Sequence, residues 1–153
     1  MAQADDVGAL LMAAASDAVK ALVFEVQANL IAAAPVDTGH VRRNFVQSIG
    51  APFEGEDDGE AQVAGQAEML SYKINDGDAY VSNNVDYLQH LILGSSSQAP
   101  AGWDLVSVDQ AVATIQAQYD GIQLDVTSSS DVSARGAGAA AGLADTFAPG
   151  GDE

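Results

Sequence analysis

A long apolar segment with helical spacing near the N-terminus limits the folds that this chain can adopt. Residues 4 to 34 carry apolar side chains at steps of three and four, and Pro35 follows directly. This spacing places the side chains on one helix face, and a proline disfavours helical geometry in the residue before it, so the helix should end there. The stripe consists of Leu11, Ala15, Ala18, Leu22, Val26 and Leu30, widened by Val19, Val23 and Ile31.

The predicted helix is long for a chain of this size. The 153 residues of the chain fit a single domain. About 30 helical residues span ~45 Å at roughly 1.5 Å per residue, which is more than a small domain needs to cover its own sheet. We therefore expect either that the helix breaks near Gly8 or that part of it contacts a neighbouring chain.

The charge balance narrows the choice of partners. The chain has 22 acidic and 5 basic side chains, for a formal net charge of -17. Such a chain repels phosphate backbones, so we expect no grip on nucleic acid. Asp5 and Asp6 stand where a signal peptide carries Lys or Arg, and Asp17, Lys20 and Glu25 interrupt the apolar segment. These charges predict a soluble chain that is neither secreted nor inserted in a membrane.

The central part of the chain predicts a small antiparallel sheet. Residues 44–53 have the composition of a strand, and the acidic segment 54–60 is expected to be an exposed, mobile loop. Two further strand-like segments, 61–74 and 79–85, flank a turn at Asp76-Gly77. An Asp-Gly pair between two such segments is typical of a β-hairpin.

The C-terminal part predicts two helices, a last strand and a tail. Residues 85–93 and 103–119 have helical spacing, and residues 121–127 alternate like a strand. Residues 128–153 are small, Gly-rich and polar, which predicts a flexible tail after an α+β domain at 1–127. The apolar face of the second helix consists of Leu105, Val108, Val112 and Ile115, and Trp103 leads into it.

Few residues suggest catalysis or metal binding. Asp37-Thr38-Gly39 is the tripeptide of aspartic proteases, whose two aspartates share a proton, so one copy would require a homodimer. A short helical turn capped by Asp37 or Thr38 is the interpretation that we favour. His40 and His90 are too distant in sequence to indicate a metal site, and the chain has no cysteine. We predict no enzymatic activity, no cofactor and no metal.

Arg42 and Arg43 form a basic spot in an otherwise acidic chain. They could be a solvated pair that balances Asp37. Because acids greatly outnumber bases, we favour a second interpretation, in which one of the two arginines pairs with an acid of a neighbouring subunit.

Two segments in a fixed order resemble a known family. The first motif segment, residues 32–45, follows the long helix, and the second motif segment, residues 81–103, precedes the last helix. Together they resemble the neck and tail-completion proteins of long-tailed bacteriophages, the head–tail joining proteins of the lambda Z type. The resemblance covers about residues 5–120. The matching residues are Ala34, Pro35, Val36, Asp37, Thr38, Gly39, Arg42, Asn83, Asn84, Tyr87, Gly94, Ser95, Gln98, Ala99, Pro100 and Gly102.

The chain departs from the family pattern at two positions. Ile92 stands where an acid usually precedes the glycine by two residues, and Leu88 stands where an alanine usually follows the tyrosine. An ion pair made by that acid is therefore not expected in this chain.

The resemblance implies a structural role without catalysis. It implies an α+β protomer and a homo-oligomeric ring, commonly of six copies, between the capsid portal and the tail tube. The expected partners are the neighbouring connector, stopper, terminator and tail proteins of a virion that is assembled in the host cytoplasm. The alternative within the same virion is the tail terminator or a stopper ring. DNA would pass through the bore without specific binding, and no membrane is involved.

The second motif segment has the composition of a rigid turn between a sheet and a helix. Its glycines allow tight bends, its proline fixes one φ, its two asparagines can bond turn backbone, and its aromatic residues can anchor the loop to the core. The residues expected to form the turns and the ring contacts are Asp37, Thr38, Gly39, Arg42, Arg43, Asn83, Asn84, Tyr87, Gly94, Gln98, Pro100, Gly102 and Trp103.

The acidic segment 54–60 has two interpretations. In a ring, its carboxylates could line the bore and repel the phosphates of the passing genome. Alternatively, they only hydrate the outer surface of the protein.

Overall fold

The structure is a computed structural model that describes residues 2–36, 39–94, 99–128 and 141–142. These residues form an α+β fold, in which helices flank a small antiparallel sheet. The helices are α1 (Ala2–Ala33), α2 (His40–Arg43), α3 (Glu60–Met69), α4 (Leu88–Ile92) and α5 (Trp103–Gln116), with a 3₁₀ turn at Ile74–Asp76. The strands are β1 (Val46–Ile49), β2 (Ala79–Ser82) and β3 (Ala141–Gly142).

Helix α1 is continuous and forms the centre of the core. It has 32 residues, does not break at Gly8, and ends before Pro35 as the sequence predicts. Its apolar stripe is buried from Ala18 to Leu30, whereas Leu11, at the other end of the stripe, is 64% exposed. By length and composition alone, Asp6–Ala33 could cross a membrane. The second half of this stretch instead packs in the core of the protein.

The sheet is antiparallel, but it is not the predicted hairpin. Strand β1 pairs with β2, with Val46 opposite Ser82 and Ile49 opposite Ala79. The segment expected as the first hairpin strand, 61–74, instead contains α3 and the 3₁₀ turn. Ala, Gln, Glu and Met dominate α3 and have high helix propensity, which outweighs the Asp76-Gly77 turn signal. That dipeptide ends the 3₁₀ turn and leads into β2.

Helix α5 packs against the second half of α1. The Asn29 side chain donates a hydrogen bond to the Ser107 carbonyl (3.2 Å) between the two helices. The buried face includes Val108 and Ile115, as predicted, but Leu105 is 50% exposed and lies outside it. The predicted face was therefore displaced by about one residue position: Asp104 and Ser107 are buried in its place.

The segment predicted as a last strand, 121–127, is a loop in which Thr127 forms an isolated β-bridge. The side chain of Gln116 takes the place of a strand partner. Its amide donates to the carbonyls of Tyr119 (3.3 Å) and Ile122 (2.5 Å) and accepts from the Leu124 N–H (2.8 Å). The flexible tail predicted at 128–153 lies outside the described residues, apart from Ser128 and the two residues of β3, which pair with Tyr80 and Val81.

Candidate functional site

The fold brings the two motif segments into direct contact. The Asn83 side chain, at the end of β2, donates a hydrogen bond to the Val41 carbonyl of α2 (2.9 Å). The rings of Phe45 and Trp103 meet edge to face, with centroids 6.4 Å apart. Residues more than 40 positions apart in sequence therefore form a single structural unit, which is the candidate functional site.

Arg42 closes the C-terminal end of α1. Its Nε and Nη2 donate to the Ala34 carbonyl (3.0 and 2.8 Å), and Nη2 also donates to the Ala32 carbonyl (3.4 Å). The last carbonyls of a helix lack partners within the helix, so this guanidinium satisfies groups that would otherwise require water. The intersubunit ion pair predicted for Arg42 or Arg43 stays a prediction.

The turn before α2 begins at glycine. Gly39 occupies the N-cap position with φ of 76°, a conformation that glycine adopts without strain, and no side chain caps the helix there. Asp37 and Thr38, the predicted capping residues, lie outside the described residues. The aspartic-protease interpretation depends on Asp37, so the described residues do not test it.

Both asparagines of the second motif segment bond turn backbone, as predicted. Asn83 Oδ1 accepts from the Val85 N–H (3.1 Å). Asn84 donates to the carbonyls of Phe53 (2.7 Å) and Gly55 (3.2 Å), which fixes the start of the acidic segment.

Two glycines shape the passage from α4 to α5. Gly94 and Gly102 have φ of 95° and 78°, and the Gly102 N–H donates to the Ile92 carbonyl (2.8 Å). The Trp103 indole N–H donates to the Leu91 carbonyl (3.0 Å), so Trp103 anchors this turn as predicted. Tyr87 does not, because its side chain is exposed. Pro100 lies three residues before the start of α5, and Gln98 lies outside the described residues.

The acidic segment 54–60 is more tightly held than the sequence suggests. The imidazole of His40 contacts the Glu56 carboxylate at 2.5 Å. The carboxylate of Asp57 accepts from the N–H groups of Gly59 (2.8 Å) and Ala61 (3.1 Å) at the first turn of α3, and its own N–H donates to Asn44 Oδ1 (2.9 Å). The prediction of an exposed, mobile loop is therefore wrong for Asp57, which caps α3 and is half-buried.

A buried polar network that the sequence analysis missed joins α1, α3 and β1. Gln27 Oε1 accepts from the side chains of Gln47 (2.8 Å) and Gln66 (2.7 Å), and the Gln27 amide donates to the Phe45 carbonyl (2.8 Å). Gly65 lies so close to the Gln47 carbonyl that a Cβ would collide with it. The available signal was a glutamine inside the apolar face of α1, because buried polar groups require partners.

Two buried titratable groups lie outside the motif contacts. Burial raises the pKa of Asp104 despite hydrogen bonds from the backbone of Leu105 and of Asp104 itself, and one of its carboxylate oxygens has no partner. Burial, together with Asp78 and Asp76, raises the pKa of Tyr72, whose hydroxyl donates to the Gly77 carbonyl (2.9 Å). Within the described ranges, no group of three metal-ligating side chains occurs.

The first turns of α1 form a second candidate surface. We call residues 6–13 the α1 tip, and all of them are exposed. They include Leu10, which is 69% exposed, and Leu11. A groove of about 410 Å³ runs between the tip and residues 72–76.

The motif contacts fix backbone geometry. No protein-family model, curated protein or solved structure matches this chain. The functional conclusion therefore depends on the residues and contacts described above.

Proposed function

We propose that this chain is a structural subunit of the head-to-tail joint of a long-tailed bacteriophage, where its copies form a ring between the portal and the tail tube. One observation carries the proposal. The two segments that resemble the head–tail joining family pack on each other through the Asn83–Val41 hydrogen bond and the Phe45–Trp103 ring contact. The resemblance therefore concerns one spatial unit of the protein and not two unrelated stretches.

The contacts within this unit suit a structural subunit. Arg42, Asn83 and Asn84 each bond backbone carbonyls from other elements, which holds the end of α1, the sheet and the acidic segment in fixed positions. Trp103 is buried and locks the start of α5. Such a frame transmits force between neighbouring subunits without a reactive group.

Ring formation is supported by the exposed apolar tip of α1. Large apolar side chains on opposite faces of a helix are normally buried, and those of the tip lack cover within the described residues. A directional contact between identical copies gives a closed ring when its rotation closes. The tip is therefore a suitable ring contact.

The charge of the chain is compatible with DNA passage. A bore rich in carboxylates repels phosphates, so a duplex would slide through it with little adhesion. In the acidic segment, Glu54, Glu56, Asp58 and Glu60 are exposed, whereas Asp57 is engaged in capping α3. The exposed members are the candidates for the bore, and hydration of the outer surface is the alternative role.

Two measurements test this proposal. Native mass spectrometry and electron microscopy of the purified chain should give a closed ring, alone or with neighbouring neck proteins. Cryo-electron microscopy of virions that contain the chain should place its density at the head–tail joint, and its level in the neck distinguishes a joining ring from a terminator or a stopper. A chain that stays monomeric in all these mixtures, or that is absent from the virion, would sink the proposal.

A further inference from the structure

The α1 tip presents two apolar faces of different size. At about 100° per residue, Val7, Leu10, Leu11 and Ala14 fall within an arc of about 100°, which we call the large face. Ala9, Met12 and Ala13 fall within a similar arc on roughly the opposite side, and the buried Ser16 continues this arc beyond the tip. This second arc, which we call the small face, is the floor of the groove beside residues 72–76.

The groove is held open by contacts between α1 and the 3₁₀ turn. The Ile74 N–H donates to Ser16 Oγ (2.9 Å), and Lys20 Nζ donates to the Leu70 carbonyl (3.1 Å). These bonds fix the far wall of the groove at the base of the tip. The small side chains of Ala9 and Ala13 leave room for larger side chains to enter.

Electrostatics favour a second copy of this chain as the occupant. The charged groups that line the groove are Lys20, Lys73, Asp17 and Asp76, two of each sign, so their formal charge is zero in a chain of -17. The large face carries no charged side chain. Asp6 is the only charged residue of the tip, so two strongly acidic copies can meet here with much less repulsion than their net charge of -17 implies.

We propose that the large face of the α1 tip of one copy docks in the groove of the next copy. Each tip then contacts two neighbours, one through each face, which explains why it is apolar on opposite sides. A two-fold pair would cover only one of these faces. The contact is heterologous, so it propagates in one direction and can close into a ring. The inference rests on the proposed ring function and names the surfaces that would form the ring.

Engineered cysteines test the contact directly, because the native chain has no cysteine. Leu10→Cys places a thiol on the large face, and Met12→Cys places one on the floor of the groove, about 160° away around the helix. After mild oxidation, a mixture of the two variants should give a disulfide-linked dimer, whereas neither variant alone should. The double variant L10C/M12C should give a ladder of linked oligomers, because its two thiols lie on opposite sides of the helix and cannot bond within one chain.

The matched control is Leu10→Cys mixed with Ala28→Cys, which is exposed on α1 but outside the groove. This mixture should not form the disulfide. Equal cross-linking of Leu10→Cys with itself would show a two-fold pair and overturn the proposal. The same reaction is repeated with added vesicles of phosphatidylcholine and phosphatidylglycerol. If the protein binds the vesicles and the cross-link is lost, the α1 tip is a membrane-binding surface and the proposal is wrong.

A second set of variants measures the strength of the contact. Leu10→Ser removes a large side chain, and Ala13→Trp fills the groove. The free energy gained by burying one leucine side chain corresponds to at least a tenfold change in affinity. Each of the two variants should therefore raise the concentration needed for assembly by about tenfold. Leu105→Ser, exposed on α5, is the control and should leave that concentration unchanged. Circular dichroism should show that all three variants fold, and unaltered assembly of the first two would overturn the proposal.

The outcomes separate this inference from the proposed function. Rings at the head–tail joint without the disulfide between Leu10→Cys and Met12→Cys would leave the function intact and overturn the docking. If the disulfide forms but the chain is absent from virions, the docking contact stands and the proposed function is wrong.

Discussion

The two halves of α1 have similar apolar composition but opposite environments. Leu22 and Val23, in the second half, are 0% exposed, whereas Leu10 and Leu11, in the tip, are 69% and 64% exposed. The helical period is the same along both halves. The comparison teaches that apolar spacing shows which residues need burial and leaves open whether the cover comes from the same chain.

The difference has an energetic consequence. Full burial of a leucine side chain is worth about 1.5–3 kcal/mol relative to exposure, so the second half of α1 stabilises the monomer. The tip lacks this contribution in the monomer and would gain it on association in the proposed ring. Substitutions should accordingly affect folding in one half and assembly in the other.

The largest effect is expected at the centre of the buried half. Leu22→Ala should lower the free energy of unfolding by about 3 kcal/mol, because the lost contacts leave a cavity in the core. Leu10→Ala should change it by no more than about 0.5 kcal/mol in the monomer. Urea unfolding at a concentration where the protein is monomeric measures both. Equal losses would mean that the tip is packed within the monomer, and the comparison would fail.

Two glycines sharpen the comparison with changes of opposite sign. Gly65→Ala should destabilise by about 2 kcal/mol, because the new Cβ collides with the Gln47 carbonyl and must push α3 away from β1. Gly8→Ala meets nothing within 4 Å. It should increase helix stability by up to about 1 kcal/mol, since alanine has the higher helix propensity. Thermal unfolding followed by circular dichroism reads both changes, and a destabilising Gly8→Ala would indicate a contact at the tip.

Arg42 tests how the buried half ends. Arg42→Gln should lower the free energy of unfolding by about 1–2 kcal/mol, because the charge-assisted bonds to the Ala34 carbonyl are lost. Arg43→Gln is the charge-matched control, and because Arg43 is exposed its effect should be smaller than that of Arg42→Gln. Denaturant titrations of both variants give the comparison. If Arg43→Gln is the more destabilising variant, the capping role is wrong.

The smallest effect concerns the pH dependence of stability through Asp104. Burial raises the pKa of this carboxyl above 3.8, so the folded state binds its proton more tightly than the unfolded state does. The resulting stabilisation is complete below the unfolded pKa and is lost as the pH rises through the folded pKa. Asp104→Asn should therefore be more stable than the parent at pH 7, with the difference disappearing below the unfolded pKa. Urea unfolding across this range checks the sign, and a variant that is less stable at pH 7 would contradict it.

Several elements could be predicted because the signals that define them are local. Pro35 ends α1, Gly94 ends α4, and the spacing of α5 places Val108 and Ile115 inside. Local signals also gave a wrong prediction at 61–74. Asp76-Gly77 suggested a hairpin there, but helix propensity produced α3. The turn signal describes a change of chain direction, and it carries no information about which strand pairs with β2.

The candidate site divides in the same way. Sequence identified Arg42, Asn83 and Trp103 from their motifs, but not the atoms that they contact. The Gln27 network and the Gly65 approach were missed, because each partner lies on another element and its distance depends on packing. Capping of α3 by Asp57 was hidden by the acidic composition around it.

The sequence by itself determined the α+β class, the long N-terminal helix and its end, and the two motif segments. Each depends on neighbours within a few residues, where periodicity and backbone sterics decide the outcome. Only the tertiary structure decided that the motif segments meet, that Arg42 closes α1, and that the apolar stripe extends beyond the core. These features depend on which distant surfaces pack together, and the same apolar residue is compatible with burial in its own core or exposure on the α1 tip.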